Sequence, residues 1–85
     1  MVKFTYTIKD EAGIHARPAG MLVKLLQTFA CQITITKDEK TIDGKRLFSL
    51  MGLAVKQGET ITFAATGEDE QQAADQALSF MQQNM

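Results

Sequence analysis

The sequence predicts an α+β fold in which a four-stranded, mainly antiparallel sheet is covered on one face by three helices. Short segments of alternating apolar and polar residues predict strands. Segments with apolar residues at helical spacing predict helices, and turn-forming residue pairs lie between the predicted strands and helices. The resulting order is β-α-β-β-α-β-α, a split β-α-β pattern. Each element has one apolar side, so the sheet buries its apolar face under the helices.

The first half of the chain begins with a strand predicted over residues 2–8, followed by a loop at residues 10–13. A helix is predicted from about Ala16 to Thr28, with Pro18 in the first turn, where proline is tolerated. The apolar residues that support these assignments are Phe4, Tyr6 and Ile8 in the strand and Ala19, Leu22, Val23 and Leu26 in the helix.

The second half contains strands predicted over residues 32–37, 40–43 and 60–66, of which the first two are joined by a turn at Asp38-Glu39. A short helix is predicted from Leu47 to near Gly52. The final helix is predicted over residues 69–83, where acidic residues at its start suit the helix dipole. Its apolar stripe consists of Ala73, Ala74, Ala77, Leu78 and Met81.

Length and composition limit what the chain is expected to be. Its 85 residues suffice for one small domain over residues 1–85. No apolar run approaches the ~20 residues of a membrane span, and residues 1–5 lack a signal-peptide pattern. A single cysteine, Cys31, excludes an internal disulfide and is expected to be a small core residue. We therefore expect a cytoplasmic protein with no membrane insertion, no metal site and no cofactor.

The charges are unevenly distributed although the net charge is −1. All nine Lys and Arg residues lie between Lys3 and Lys56, together with five acids, whereas the residues from Glu59 onward include five acids and no Lys or Arg. A nucleic-acid-binding domain usually has a clear basic excess, which this chain lacks. The asymmetry is compatible with one cationic face that docks on an acidic protein, and also with an ordinary mixed surface.

The segment from Gly13 to Ala19 is the strongest candidate for chemistry. His15 is expected at or just before a helix start, beside backbone N–H groups that bind anions. Arg17 adds a planar cation suited to phosphate oxygens. Because histidine forms covalent intermediates, the segment combines a nucleophile with an anion-binding site, as phosphoryl transfer requires. The alternative is that His15 only caps a helix and Arg17 is a surface charge.

The segment Gly-Ile-His-Ala-Arg-Pro-Ala resembles the signature of the HPr family, the histidine-containing phosphocarriers of the phosphoenolpyruvate:sugar phosphotransferase system. The resemblance extends over essentially the whole chain without an obvious insertion. The further matching residues are Lys45, Leu47-Phe48, Leu50-Met51, Leu53, Gln57-Gly58 and the segment Gly67–Ala73.

This resemblance implies an open-faced β-sandwich and a function. Enzyme I, which draws on phosphoenolpyruvate, would phosphorylate Nδ1 of His15, and the phosphoryl group would pass to enzyme IIA domains of sugar permeases. Arg17 would stabilise the transferred group together with the N–H groups of Ala16 and Arg17. The chain would then be a stoichiometric carrier with a phosphohistidine intermediate rather than a free-standing enzyme, and we expect it to be a monomer.

The same resemblance implies a partner-docking surface of Gly20, Met21, Lys24, Leu47, Phe48 and Met51. We add the neighbouring Arg46 and call these seven residues the docking surface. The residue types support this surface independently of the resemblance. The short helix after Arg46 has more apolar side chains than one buried face can hold, so some of them must be exposed. Exposed apolar patches mark contact sites, and methionine adapts to several partners. We expect Leu50 and Leu53 to enter the core and Phe48 and Met51 to stay on the surface.

The sequence departs from the family at two positions. Many members carry a regulatory serine between the residues that correspond to Lys45 and Leu47, which a dedicated kinase phosphorylates in Gram-positive bacteria. The residue here is Arg46, and Ser49 lies one helical turn later. Gly20 stands where a bulkier or hydroxyl residue is common, which leaves room for closer approach by a partner.

Other functions remain possible on the sequence alone. A specialised paralogue of a nitrogen-type or otherwise dedicated phosphotransferase branch would fit the missing serine. A regulatory binding module that no longer transfers phosphate would not need His15 and Arg17. An acylphosphatase-like hydrolase would need an asparagine that orients water, and the only asparagine is Asn84. An RNA-binding sheet would need exposed aromatic residues, where this chain has mostly Thr and Lys.

Overall fold

The backbone follows the predicted order in a computed structural model that describes residues 1–85. The elements in chain order are β1 (Val2–Thr7), α1 (Ala16–Leu26), β2 (Gln32–Lys37), β3 (Lys40–Asp43), α2 (Leu47–Gly52), β4 (Thr60–Thr66) and α3 (Glu70–Asn84). None of the three helices is long and apolar enough to cross a membrane.

The four strands form one sheet in the order β1-β4-β2-β3, and every neighbouring pair is antiparallel. Because β4 lies between β1 and β2, those two strands run parallel to each other without touching. This arrangement confirms the predicted split β-α-β topology and the open-faced sheet with three helices.

The core lies between the helices and the inner face of the sheet. Every second side chain of each strand points to this face. Phe4 of β1 is opposite Phe63 of β4, and their rings stack with centroids 4.8 Å apart. Phe63 and Tyr6 are buried and Phe4 is partly buried. The hydroxyl of Tyr6 donates to the carbonyl of Met81 at 3.0 Å. The outer face is rich in threonine, as predicted, and two hydroxyl pairs bridge strands on it: Thr7 with Thr60 and Thr36 with Thr41.

The helix ends differ from the prediction by one or two residues. α1 stops at Leu26 rather than Thr28, because the hydroxyl and N–H of Thr28 both donate to the carbonyl of Leu25 in a tighter closing turn. α3 begins at Glu70 because Asp69 is its N-cap residue. The Asp69 carboxylate does not cap that helix, since it accepts the N–H groups of Ala30 and Cys31 at 2.8 and 2.9 Å.

The contacts of Asp69 also affect the ionisation of the two side chains that meet there. Hydrogen bonds from the Ala30 N–H and then the Cys31 thiol lower the pKa of Asp69. Burial, followed by the neighbouring Asp69, raises the pKa of the Cys31 thiol. Cys31 is 3% exposed, so it is the core residue that the sequence predicts and not a reactive thiol.

One residue after α2 has an unfavourable backbone conformation that suggests a stabilising substitution. Ala54 has φ = 53°, the left-handed region that costs an L-residue about 1–2 kcal/mol. We expect Ala54→Gly to raise the free energy of unfolding by about 0.5–1 kcal/mol, after the larger unfolded-state entropy of glycine is subtracted. Urea denaturation measures the change.

The matched control is Gly58→Ala, which adds a methyl group at another exposed left-handed position, φ = 87°, with no distant atom within 4 Å of the new carbon. This variant should be destabilised. A lower free energy of unfolding for Ala54→Gly would contradict the explanation by backbone strain.

Candidate functional site

The loop between β1 and α1 is held by the side chain and backbone of Asp10. Its Oδ1 accepts the N–H of Ala12 at 2.8 Å, and its carbonyl accepts the N–H of Gly13 at 2.9 Å. Gly13 has φ = 68°, and a β-carbon there would collide with the carbonyl oxygen of Val55. The next residue, Ile14, donates its N–H to that same carbonyl at 3.0 Å. Only glycine therefore allows the loop to pass this close to the segment after α2.

His15 is the N-cap residue of α1, with an extended backbone and no side-chain capping bond. Its carbonyl accepts the N–H of Ala19 at 3.0 Å, which starts the helix. The N–H groups of Ala16 and Arg17 donate to no carbonyl or side chain, and Pro18 has no N–H. Two free donors at the positive end of a helix thus lie next to the imidazole, as an anion requires.

The imidazole opens into a shallow cavity of about 160 Å³. The side chains and backbone that line it belong to Asp10, His15, Arg17, Pro18, Met21 and Asn84. The imidazole is 42% exposed and is therefore accessible from solvent. The structure therefore brings together all three predicted phosphotransfer features: His15, Arg17 and the first-turn N–H groups.

The predicted docking residues lie on α1, on α2 and at the N-cap position of α2, Arg46, and the two helices pack against each other. Phe48 is 89% exposed and Met21 is 46% exposed, although both are large apolar side chains. Lys24 is exposed as well. A β-carbon placed on Gly20 would have no distant atom within 4 Å, so the space above this residue is open.

The short helix α2 divides its apolar residues largely as predicted. Leu50 and Leu53 are buried, at 1% and 4% exposure, whereas Phe48 is almost fully exposed. Met51 departs from the surface assignment because it is half-buried and packs against the core, as Leu47 does. Leu47 and Met51 thus lie on the partly buried flanks of α2, and Phe48 is its one large apolar side chain that faces solvent.

The two basic residues before α2 have different roles. Lys45 does not face outward, because its ammonium group donates to the carbonyl of Phe29 at 2.6 Å and so satisfies a backbone acceptor just after α1. Arg46 is the N-cap residue of α2, and its side chain is 76% exposed. Its only ionic partner is the exposed carboxylate of Asp43 at 3.5 Å, a surface pair that contributes little.

A lysine from the sheet holds the other end of α2. The Lys37 ammonium donates to the carbonyls of Leu53 and Ala54 and lies 3.1 Å from Glu59. A hydrogen bond from the N–H of Lys56, followed by the Lys37 ammonium, lowers the pKa of Glu59. These contacts fix the segment that receives the N–H of Ile14, and they thereby support the loop of His15.

Two residues of the cavity were not predicted, Asp10 and Asn84. The Asp10 Oδ2 lies 3.7 Å from the Nε2 of His15. An Asp three positions before Gly13 is a signal for an Asx turn, and this signal places Asp10 near His15 in retrospect. No local pattern identifies Asn84, which reaches the cavity because the carbonyl of Met85 accepts the N–H groups of Lys9 and Asp10.

Comparison with known proteins identifies the family. The sequence model described as "PTS HPr component phosphorylation site" matches residues 2–83. This chain belongs to the HPr family. The HPr of Mycoplasma capricolum is 41% identical over 85 residues, which cover 100% of this chain and 91% of that protein.

Solved HPr-family structures agree with the fold described above. The crystal structure of HPr-C-His from Thermoanaerobacter tengcongensis superposes with a TM-score of 0.92 at 34% identity, covering 96% of this chain and 92% of that one. The structure of the Bacillus subtilis protein Crh, described as a dimer with a swapped domain, matches with a TM-score of 0.78 at 33% identity. That match covers 100% of this chain and 98% of Crh. The HPr family thus includes both phosphocarriers and Crh-type proteins at similar distances from this chain.

Proposed function

We propose that this HPr-family chain is a phosphocarrier that accepts a phosphoryl group on His15 from enzyme I and passes it to enzyme IIA domains of sugar permeases. The observation that carries the proposal is the position of His15 at the start of α1. Its ring lies in one open cavity with Arg17, beside the two free N–H groups of the first helical turn. A regulatory module without phosphotransfer would have no use for this combination.

The chemistry needs no cofactor. The Nδ1 atom of His15 attacks the phosphorus with its lone pair, a new P–N bond forms, and the bond from phosphorus to the donor breaks with its electron pair on the donor. Arg17 and the N–H groups of Ala16 and Arg17 bind the oxygens that carry the negative charge. The reverse displacement delivers the group to the next protein, so the chain is a stoichiometric carrier with a covalent intermediate rather than an enzyme.

The direct test is incubation of the purified protein with enzyme I and labelled phosphoenolpyruvate. The proposal expects up to one phosphoryl group per chain, in a linkage that is acid-labile and base-stable, as phosphohistidine is. Absence of label when a control HPr is labelled by the same enzyme I would exclude acceptance from that donor. Acid-stable label would point to a hydroxyl acceptor and contradict the assignment to His15.

The docking surface supports a partner with an acidic rim around an apolar centre. Phe48 and Met21 expose apolar area, and the two charged residues of the docking surface, Lys24 and Arg46, are both cationic. Arg17 lies beside them, and the carboxylates at the edge of this surface are those of Asp10 and Asp43. Charge complementarity of this kind accelerates association. We propose that residues 1–85 act as a single domain that presents this face to enzyme I and to enzyme IIA in turn.

A second candidate is a specialised paralogue that serves a nitrogen-type or other dedicated phosphotransferase branch. The observation that favours it is Arg46, an exposed cation at the N-cap position of α2 where many relatives carry the regulatory serine. Competition between enzyme I of the sugar branch and enzyme I of a nitrogen branch decides between the two. If only enzyme I of the nitrogen branch phosphorylates the protein, the specialised paralogue is the correct function and the sugar-branch carrier is excluded.

We expect this protein not to be a substrate of the kinase that phosphorylates the regulatory serine of Gram-positive HPr. The hydroxyl acceptor is absent at Arg46, and Ser49 is half-buried in α2. Kinase and ATP should give no incorporation into the wild type, whereas Arg46→Ser should create an acceptor if the recognition surface is kept. ATP-dependent labelling of Ser49 in the wild type would show that the regulatory site has moved.

Arg46 should also accelerate association with an acidic partner at low salt. Arg46→Glu reverses one exposed charge, and we expect it to slow association with enzyme I. The difference should shrink as salt rises, because exposed charges are screened over about 8 Å at physiological ionic strength. Lys40→Glu is the matched control, since Lys40 is an exposed cation at the start of β3, outside the docking surface. Equal slowing by both variants would assign the effect to net charge rather than to Arg46.

We further propose that the carrier acts as a monomer. Each chain forms its own four-stranded sheet over a 22-residue core cluster. The alternative is a swapped dimer like the one described for Crh. Sedimentation at several protein concentrations distinguishes the monomer from such a dimer.

A further inference from the structure

The cavity beside His15 contains a single carboxylate, that of Asp10. Its Oδ2 lies 3.7 Å from the Nε2 of the imidazole, the nitrogen that does not attack phosphorus. This is longer than a hydrogen bond, but catalytic hydrogen bonds are often long in unliganded proteins and shorten in the reacting complex. The other charged side chain of the cavity is Arg17, a permanent cation.

The backbone and one carboxylate oxygen hold Asp10 in place independently of His15. Oδ1 accepts the N–H of Ala12, the carbonyl accepts the N–H of Gly13, and the N–H donates to the carbonyl of Met85 at 3.1 Å. These bonds leave Oδ2 with no partner other than the imidazole. A carboxylate that is fixed by one oxygen and directed at a histidine with the other is a typical orienting arrangement.

We propose that Asp10 is a positioning residue for phosphotransfer, which keeps the proton of the neutral imidazole on Nε2 and stabilises the positive charge that the ring gains when Nδ1 is phosphorylated. The inference rests on the proposed function. In the neutral imidazole only one nitrogen carries a proton. A carboxylate facing Nε2 favours Nε2–H and leaves the lone pair on Nδ1, where the attack requires it.

The reaction step balances without moving a proton. The lone pair of Nδ1 forms the P–N bond, the bond between phosphorus and the donor breaks with its pair on the donor, and the proton of Nε2 stays in place. The ring is then formally cationic, and the Asp10 carboxylate is its nearest counter-ion. When the group leaves, the P–N pair returns to Nδ1 and the ring becomes neutral again.

The substitution that isolates this role is Asp10→Asn. The amide oxygen of asparagine still accepts the N–H of Ala12, so the turn is kept. The amide nitrogen then faces Nε2 as a donor and favours a lone pair there, which moves the ring proton to Nδ1. Glu11→Gln is the matched control, because it removes the same charge from the adjacent, exposed residue.

The first measurement is the tautomer of the neutral His15 ring, read from its ¹⁵N chemical shifts in the unphosphorylated protein. We expect mainly Nε2–H in the wild type and in Glu11→Gln, and a clear gain of Nδ1–H in Asp10→Asn. This readout needs no partner protein, and a merely structural role of Asp10 would not move it. An unchanged tautomer in a folded Asp10→Asn protein would overturn the proposal even if the protein is a phosphocarrier.

The second measurement is the rate of phosphorylation by enzyme I. We expect Asp10→Asn to be slower by about fivefold to tenfold, the effect of one charge pair near 4 Å in a largely solvated site, and Glu11→Gln to be close to the wild type. Faster phosphorylation of Asp10→Asn would overturn the proposal, because it would show that the carboxylate mainly repels the incoming phosphoryl group. Absence of phosphorylation in the wild type would refute the proposed function, whereas the tautomer would still test the role of Asp10.

Discussion

Replacement of His15 by alanine should abolish phosphoryl transfer from enzyme I, leaving no acid-labile label above background. The imidazole supplies the nitrogen nucleophile of its cavity, whereas attack by the Asp10 carboxylate would give an acyl phosphate, which is base-labile and therefore distinguishable from phosphohistidine. The fold should be unaffected within about 0.5 kcal/mol, because the side chain is partly exposed and caps nothing. Full labelling of the His15→Ala protein would refute the assignment.

The neighbouring Arg17→Ala variant should retain the acceptor but lose one charged contact to the transferred group. Loss of one such donor typically reduces a rate by about 10²-fold, so single-turnover transfer should be slower by about this factor. Arg17→Lys keeps the charge without the planar pair of donors and should fall between the wild type and Arg17→Ala. An Arg17→Ala protein that reacts at the wild-type rate would reduce Arg17 to a surface charge.

Truncation of a core side chain should lower the free energy of unfolding much more than truncation of a side chain on the docking surface. Leu22 is fully buried under the sheet, and Leu22→Ala should lower the free energy of unfolding by about 2–5 kcal/mol through lost burial and the cavity left behind. Phe48 is 89% exposed, so Phe48→Ala should change stability by no more than about 0.5 kcal/mol. Denaturant unfolding of both variants measures the contrast.

Phe48→Ala should instead weaken binding to enzyme I by about 1–3 kcal/mol if the ring is an anchor of the interface. Calorimetry with the folded variant measures this change. Destabilisation comparable with that of Leu22→Ala would place Phe48 in the core and remove it from the docking surface. Unchanged affinity of a stable Phe48→Ala protein for enzyme I would show that Phe48 is not an anchor of the docking surface.

Much of the fold was predictable because local pattern and tertiary burial agree. The alternation in residues 32–37 and 60–66 puts every second side chain on one face, and the structure buries Ile33, Ile35, Ile61 and Phe63 as that pattern requires. The ends of α1 and α3 were less predictable. Thr28 and Asp69 use their side chains for tertiary or turn contacts that no helical periodicity encodes.

The site was predictable only where its parts are close in sequence. His15, Arg17 and the free N–H groups follow from one segment at a helix start. Asp10 is close in sequence, but its position depends on the turn in which it accepts the N–H groups of Ala12 and Gly13. Asn84 joins the site through the hydrogen bonds of Met85 to residues 9 and 10, a contact between distant parts of the sequence. The ammonium of Lys45 was likewise unassigned, because its acceptor, the carbonyl of Phe29, lies 16 residues away.

The position of β4 in the middle of the sheet has a consequence for how the protein is made. Up to residue 59 a nascent chain can pair only β2 with β3, and β1 has no partner until β4 arrives. Closing such distant pairs costs loop entropy before any contact offsets it, which slows folding in proteins of high contact order. The residues through β4 must therefore leave the ribosome before the sheet that supports the loop of His15 can form.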